Sequence, residues 1–396
     1  MALPLSNIKV VDFSQALAAP FSGMLLADQG ADVIKVEPPD GDSSRSRAPN
    51  YGGTSITTLS FNRNKRSIVA DITKPAGLEV AYRLIKWADV LVTNTRVDAR
   101  RRRGLSYEAV AGMNPRLVYA SLTGYGEKGP DANLPGADIT IQARVGDIAG
   151  RRPVGGSYPS YTHLYHFDMA AGIVIAYSVM VALYEREHTG RGQKIEINLL
   201  QAGLALHSVQ MTRRAGTSER YAIRPPGLPN QYMCSDGRQL LSQSINIGPR
   251  WEGFTKSVGL DKLLADPAFD TLEKRERSVE KLQGIIARHF ATRPAAEWEA
   301  MFKRENLSAT VVKEIETEEV DNDTQVVANK MIIKFEQPGL GTITANSIPF
   351  HLPAHDKEQW LRRPAPKLGE HTDEVLKELG YSPKEIESLK ASGGIG

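Results

Sequence analysis

Cysteine is almost absent from this chain: Cys234 is the single thiol in 396 residues. One thiol excludes an internal disulfide framework and suits a reducing compartment. Clustered Cys/His or His-x-x-x-His spacings are also missing, so no metal site is expected. Charge of one sign is lacking too: 49 basic residues against 46 acidic ones leave +3, without the basic excess of a nucleic-acid binder. The longest apolar run, residues 169–183, is shorter than the ~20 residues that span a bilayer and reads as a buried core helix. No basic or apolar leader marks the opening MALPLSNIKVVDF as an export signal. A cytoplasmic protein with no membrane and no nucleic-acid partner is expected. Nor is there a G-x-G-x-x-G after the first apolar run, or a G-x-x-x-x-G-K-[ST] loop, which excludes both common nucleotide-binding fingerprints.

What is present is an alternation of elements. IKVVDF (residues 8–13), VIKVE (33–37), DVLVTN (89–94) and RLVYASL (116–122) are short apolar runs of the kind buried on both faces of a parallel sheet. Pro20 opens a helix that Gly30 ends, and Pro75 opens another. Strands alternating with helices predict a doubly wound, Rossmann-like α/β domain over residues 1–220. From residue 221 to 330 the chain turns Pro/Gly-rich and then charged, with amphipathic helical stretches. That reads as a linker, RPPGLPNQYMCSDGRQ, followed by a strand over residues 239–247 and a smaller α+β domain. Residues 331–396 hold a β-like stretch, GLGTITANSIPFHL, and a terminal helix pair.

One segment carries the chemistry. FDMAAGIVIAYSVMVALYEREHTGRGQKIEIN (residues 167–198) sets Asp168 at the start of a long apolar helix. Unsatisfied N–H groups and the helix dipole at that end favour an ionised acid, and such a carboxylate can act as a nucleophile. An acid there also serves as an ordinary cap. The pattern D-x-x-x-G followed by ALYERE-HTGRGQ and an alternating strand resembles the family III CoA-transferases. So do LSNIKVVDFSQALAAPFSGMLLADQGADVIKVEPPDGD, FNRNKRSIVADITKPAG, ADVLVTN, NPRLVYASLTGYGEKGP and PAPKLGEHTDEVLKELGYS, in that order along the chain.

The resemblance implies a catalytic role for Asp168, forming an aspartyl anhydride and then an aspartyl-CoA thioester. It implies coenzyme A and acyl-CoA as substrates, with no permanently bound cofactor, a carboxylic acid as co-substrate, and no metal. For the coenzyme it implies Arg102 and Asn94, with Thr95 and Arg103 beside them, and Ala70 and Lys74 at the adenine end. Tyr125 and the loop Gln15, Ala16, Leu17, Ala18 belong to the same expected site, the loop supplying oxyanion-binding amides. It also implies two subunits interlocked like links of a chain, as a homodimer or with a paralogue. Departures stand at Leu17, where oxalate-type members carry Gln, and at Pro38, where they carry Arg; Arg45 or Arg47 is the candidate replacement. Tyr158, Tyr161, His163, Tyr165 and His166 crowd the approach to Asp168 as pocket wall or interface, with His166 expected to be structural. Lys65 and Arg66 are read as structural cations. Two alternatives stay open: an α-methylacyl-CoA racemase-like enzyme, disfavoured because Ala137 stands where racemases carry a His, and an inactive CoA-binding partner subunit.

Overall fold

The structure, a computed structural model, describes residues 2–51, 54–151, 161–217, 228–315, 317–350, 352–355 and 360–396. The chain divides into two units, Met1–Arg220 with Lys330–Gly396, and Tyr221–Asn329.

The larger unit is built on six parallel strands: β1 (Lys9–Asp12), β2 (Asp32–Glu37), β3 (Lys65–Val69), β4 (Val90–Thr93), β5 (Val118–Thr123) and β6 (Lys194–Asn198). Their order is β3-β2-β1-β4-β5-β6. Neighbouring strands put Val10 beside both Val33 and Val90. Because side chains alternate, Val10, Val33 and Val90 enter one core, while Val11, Ile34 and Leu91 enter the other. Unbroken β-branched runs are what a sheet covered on both faces requires. Helices α1 (Ala18–Asp28) and α4 (His166–Thr189) supply the first cover, with α3 (Asp138–Arg144) contributing Ile141. Helix α2 (Pro75–Trp87) supplies the second, with α5 (Thr372–Glu378) and α6 (Pro383–Ala391) of the C-terminal segment. That segment is tied to the sheet edge by His371 N–H on the Ser67 carbonyl (2.9 Å) and Asp71 N–H on the Gly394 carbonyl (2.8 Å). The strand order reverses direction between β1 and β4, and in such sheets the crevice at the carboxyl ends of those two strands takes the ligand.

The smaller unit packs Phe254, Phe290, Trp298 and Phe302 against Leu240 of a three-stranded antiparallel sheet. Its strands are β7 (Gln231–Met233), β8 (Gln239–Leu241) and β9 (Thr310–Val311). Two expectations change here. Gln231–Met233, read as linker, is a strand because it pairs with Gln239–Leu241 through a tight turn at Gly237. The strand expected over residues 239–247 stops at Leu241. The β-like stretch before the C-terminal segment is a hairpin of the larger unit, Ile332–Gln337 with Gly341–Asn346.

Helix α4 also departs from its reading as a buried core helix. It runs 24 residues, and by length and apolarity it could cross a membrane. Phe167, Ala171, Ile175, Val179 and Ala182 face the core, but Tyr177 and Tyr184 are 69% and 71% exposed, in line with exposed Ile173 and Val181. An apolar sequence without periodic polar positions does not reveal which of its faces a single chain covers.

Candidate active site at the sheet switch point

The loops after β1 and β4 meet at the crevice. Asn94 accepts the Gln15 N–H (3.0 Å) and donates to the Gln15 carbonyl (2.7 Å), lacing the two loops together. Ala16 follows with φ +69°, a left-handed conformation that costs a residue with a Cβ about 1–2 kcal/mol. Its N–H donates to Asp42 Oδ1 (3.0 Å). Asp42 is itself buried against the Lys35 ammonium (2.7 Å), which donates to the Ser14 carbonyl (2.8 Å). Burial opposes the Asp42 charge, yet Lys35 and the backbone donors outweigh it and hold the carboxyl below its ordinary range. Behind this, Lys65 is completely buried on Asp12 (2.9 Å) and the Pro20 carbonyl (2.8 Å); burial pushes its pKa down to about 8. Buried ion pairs of this kind are weak contributors to net stability but strongly fix geometry when every partner is satisfied.

The braced loop runs directly into α1. The N–H groups of Leu17 and Ala18 donate to no described residue, as the first amides of a helix have no intrahelical acceptor. Both residues line a cavity of about 450 Å³, and Asp168 lines it too. Helices α1 and α4 meet closely because Gly172, one turn beyond Asp168, has no side chain: a Cβ there would stand 2.6 Å from the Ala18 carbonyl oxygen and 2.7 Å from the Phe21 ring.

Asp168 was expected to be kept ionised by the helix start. The structure reverses this. The Asp138 carboxylate, at the first position of α3, accepts the N–H groups of both Phe167 (2.8 Å) and Asp168 (3.0 Å). It is fixed in turn by Gln142 Nε2 (2.6 Å). Asp138 therefore caps α4, and Asp168 makes no capping bond of its own. Burial first, and the Asp138 charge second, push the Asp168 pKa up to about 7, against an opposing field from Arg47. Tyr165, directly before α4, holds φ +50°, so two residues with strained backbone, Ala16 and Tyr165, flank the same cavity.

The other expected residues scatter. Ala16, Leu17, Ala18 and Asn94 line the cavity with Asp168. The amides of Gln15 and Ala16 are occupied, which leaves Leu17 and Ala18 of the expected oxyanion donors. Thr95 and Arg103 line a separate small cleft with Phe13 and Ile72. Arg102 is exposed, and Arg100 of the same run is buried on Glu127 (2.9 Å). Ala70 bridges to Ile395, and Lys74 donates to the Gly393 carbonyl (2.9 Å). Tyr125 hydrogen-bonds Thr140 (3.0 Å) beneath the Arg144 guanidinium. Arg45 forms a two-pronged pair with Glu37 (2.6 Å each), whereas Arg47 lines the cavity. Lys65 and Arg66 are buried in ion pairs. Tyr161, His163 and Tyr165 line the cavity; His166 packs on Phe167 instead, and Tyr158 lies outside the described residues. No group of three or more metal-ligating side chains occurs among the described residues.

Residues 5–372 match the family model of CoA-transferase family III. The chain belongs to that family. The transferase is 29% identical to the (R)-2-hydroxy-4-methylpentanoate CoA-transferase of Clostridioides difficile, with 98% of each chain covered. It is 31% identical to the cinnamoyl-CoA:phenyllactate CoA-transferase of Clostridium sporogenes, over 98% of this chain and 97% of the relative. The crystal structure of a CAIB/BAIF family protein from Brucella suis superposes on the transferase with a TM-score of 0.83 at 28% identity, covering 96% of this chain and 100% of the other. Asp138 and Asp42 were not singled out from the sequence of the transferase as site residues: an acid that caps a helix 30 positions away, or anchors a loop from underneath, leaves no spacing signal.

Proposed function

We propose that the enzyme moves coenzyme A from an acyl-CoA donor to a carboxylic acid, with Asp168 as the covalent nucleophile. The observation that carries this is one carboxylate, raised toward neutrality, facing the same cavity as the unspent amides of Leu17 and Ala18. An Asp168 oxygen attacks the thioester carbonyl, and the C–S bond breaks to give a mixed anhydride and CoA thiolate. The thiolate attacks the aspartyl carbonyl and expels the donor acid, leaving an aspartyl-CoA thioester. The acceptor carboxylate attacks that thioester and releases the thiolate, which then takes the acyl group and restores Asp168. No net proton moves, so no general base is needed. A carboxylate with a raised pKa is a stronger nucleophile than an ordinary one, and the Leu17 and Ala18 amides supply hydrogen bonds to each tetrahedral oxyanion.

The test is intact-protein mass spectrometry with a panel of acyl-CoAs, trapping with hydroxylamine. A hydroxamate at Asp168, abolished in Asp168→Asn, is the expected result; turnover unchanged in Asp168→Asn refutes the nucleophile. A second reading rests on His163, which shares the cavity with Asp168 as two proton carriers would in an α-methylacyl-CoA racemase. Exchange of the substrate α-proton with solvent deuterium, without an aspartyl adduct, would favour it. The same reading extends to assembly: the exposed stripe Ile173, Tyr177, Val181 and Tyr184 is proposed to be covered by a second copy of the chain. A monomeric mass by light scattering would sink that extension.

A further inference from the structure

The Asp168 cavity is lined by cations that no described residue neutralises through an ion pair. Four arginines in this part of the fold are committed: Arg45 to Glu37, Arg63 to Asp28, Arg66 to Asp32 and Glu378, Arg100 to Glu127. Arg96 and Arg47 both line the Asp168 cavity without an ion pair or side-chain hydrogen bond to any described residue, and of the two the one whose charge acts on Asp168 is Arg47. Its position is prepared. The loop bearing it is held by the Arg45–Glu37 pair, by Arg45 N–H on the Asp42 carbonyl (2.8 Å), and by Arg47 N–H on the Ser44 carbonyl (3.2 Å). The cavity already contains the carboxylates of Asp138 and Asp168, so any second anion entering it needs a counter-charge.

We propose that Arg47 binds the non-reacting carboxylate of a dicarboxylic acid, making this cavity selective for dicarboxylates over monocarboxylates of equal length. The inference rests on the transferase reading above and names its acceptor class. Arg47 is a poor candidate for the coenzyme phosphates on chemical grounds. With the thioester carbon at Asp168, the pantetheine arm carries the pyrophosphate far from that carbon, whereas the field of Arg47 reaches Asp168 itself. Pairing Arg47 with the attacking carboxylate would blunt its nucleophilicity; pairing with the distal one anchors the acid and leaves the other free. The apolar wall of Leu134, Ile139 and Leu199 suits the methylene chain between the two.

The experiment compares glutarate with pentanoate, and succinate with butanoate, in two assays. One is discharge of the acyl-CoA-loaded enzyme; the other is calorimetric binding of each acid to the Asp168→Asn protein. Arg47→Leu and Arg47→Lys are measured beside the parent, with thermal midpoints verifying the fold. The expected result is a dicarboxylate preference that falls about 10- to 100-fold in Arg47→Leu, the size of a lost charge-assisted hydrogen bond, and partly survives in Arg47→Lys. A preference that persists in Arg47→Leu, or no preference in the parent, overturns the proposal. So does a loss confined to the KM for acyl-CoA, which would mark Arg47 as a phosphate contact. The two readings fail separately: dicarboxylate binding without any aspartyl adduct refutes the transferase mechanism alone, and an adduct discharged equally by both acids refutes the Arg47 subsite alone.

Discussion

Replacing Asp168 with Asn should make the protein more stable, by a margin that grows as pH rises from about 4 to 7. The folded carboxyl titrates near 7, while the same group in an unfolded chain titrates near 3.8. Between those values the folded state keeps a proton that the unfolded state has lost, so stability falls as pH rises through the window and the penalty is complete above about pH 7. Roughly three pKa units correspond to about 4 kcal/mol. The α4 dipole returns about 0.3–1 kcal/mol to the charged form, and Asn forgoes it. The net gain on substitution at pH 8 is therefore about 3 kcal/mol. No hydrogen bond is lost in exchange, because Asp138 performs the capping. For a body of this size, roughly 2 °C per kcal/mol gives a rise of about 6 °C in the melting midpoint. Thermal melts of the two proteins from pH 4.5 to 8.5 make the comparison. The gain should shrink by more than half at pH 5 and approach zero near pH 4. A difference that does not vary with pH, or an Asn protein less stable at pH 8, would refute the view of Asp168 as a strained, half-buried charge retained for chemistry.

The rate of aspartyl adduct formation should rise with pH through a midpoint near 7, and Asp138→Asn should move that midpoint down, since removing a like charge lets Asp168 ionise earlier; an unmoved midpoint counts against the coupling. Gly172→Ala forces a Cβ to within 2.6 Å of the Ala18 carbonyl oxygen, so adduct formation should fall at least tenfold while CoA affinity, measured by calorimetry, changes little. Asp42→Ala strands the buried Lys35 ammonium and releases the Ala16 amide, and chemical denaturation should show a loss of about 3–5 kcal/mol, with a smaller loss for Asp42→Asn.

Most of the parallel sheet was legible because strands covered on both faces must be apolar without interruption, and residues 33–37 and 116–122 are plain examples; the edge strand Lys65–Val69, which opens on two cations, was not read as one. Pro75 at the start of α2 and Gly190, at φ +70° closing α4, mark helix limits by backbone rules that hold in any context. Asp168 was visible as an acid at a helix start, and the order of motifs along the chain carried the family. What the sequence by itself determined was local: which segments are strand or helix, and where a lone acid meets an apolar helix. Tertiary structure decided the electrostatics, because the charge state of Asp168 depends on Asp138, brought to it across 30 residues, and on burial by α1. It decided which amides are free, since Asn94 and Asp42 consume those of Gln15 and Ala16 from loops that follow different strands of the sheet. It also separated Arg45 from Arg47, two residues apart and alike in type, by giving one a buried glutamate and leaving the other facing the cavity. Neighbours distant in sequence set desolvation and pairing, and no spacing along the chain encodes them.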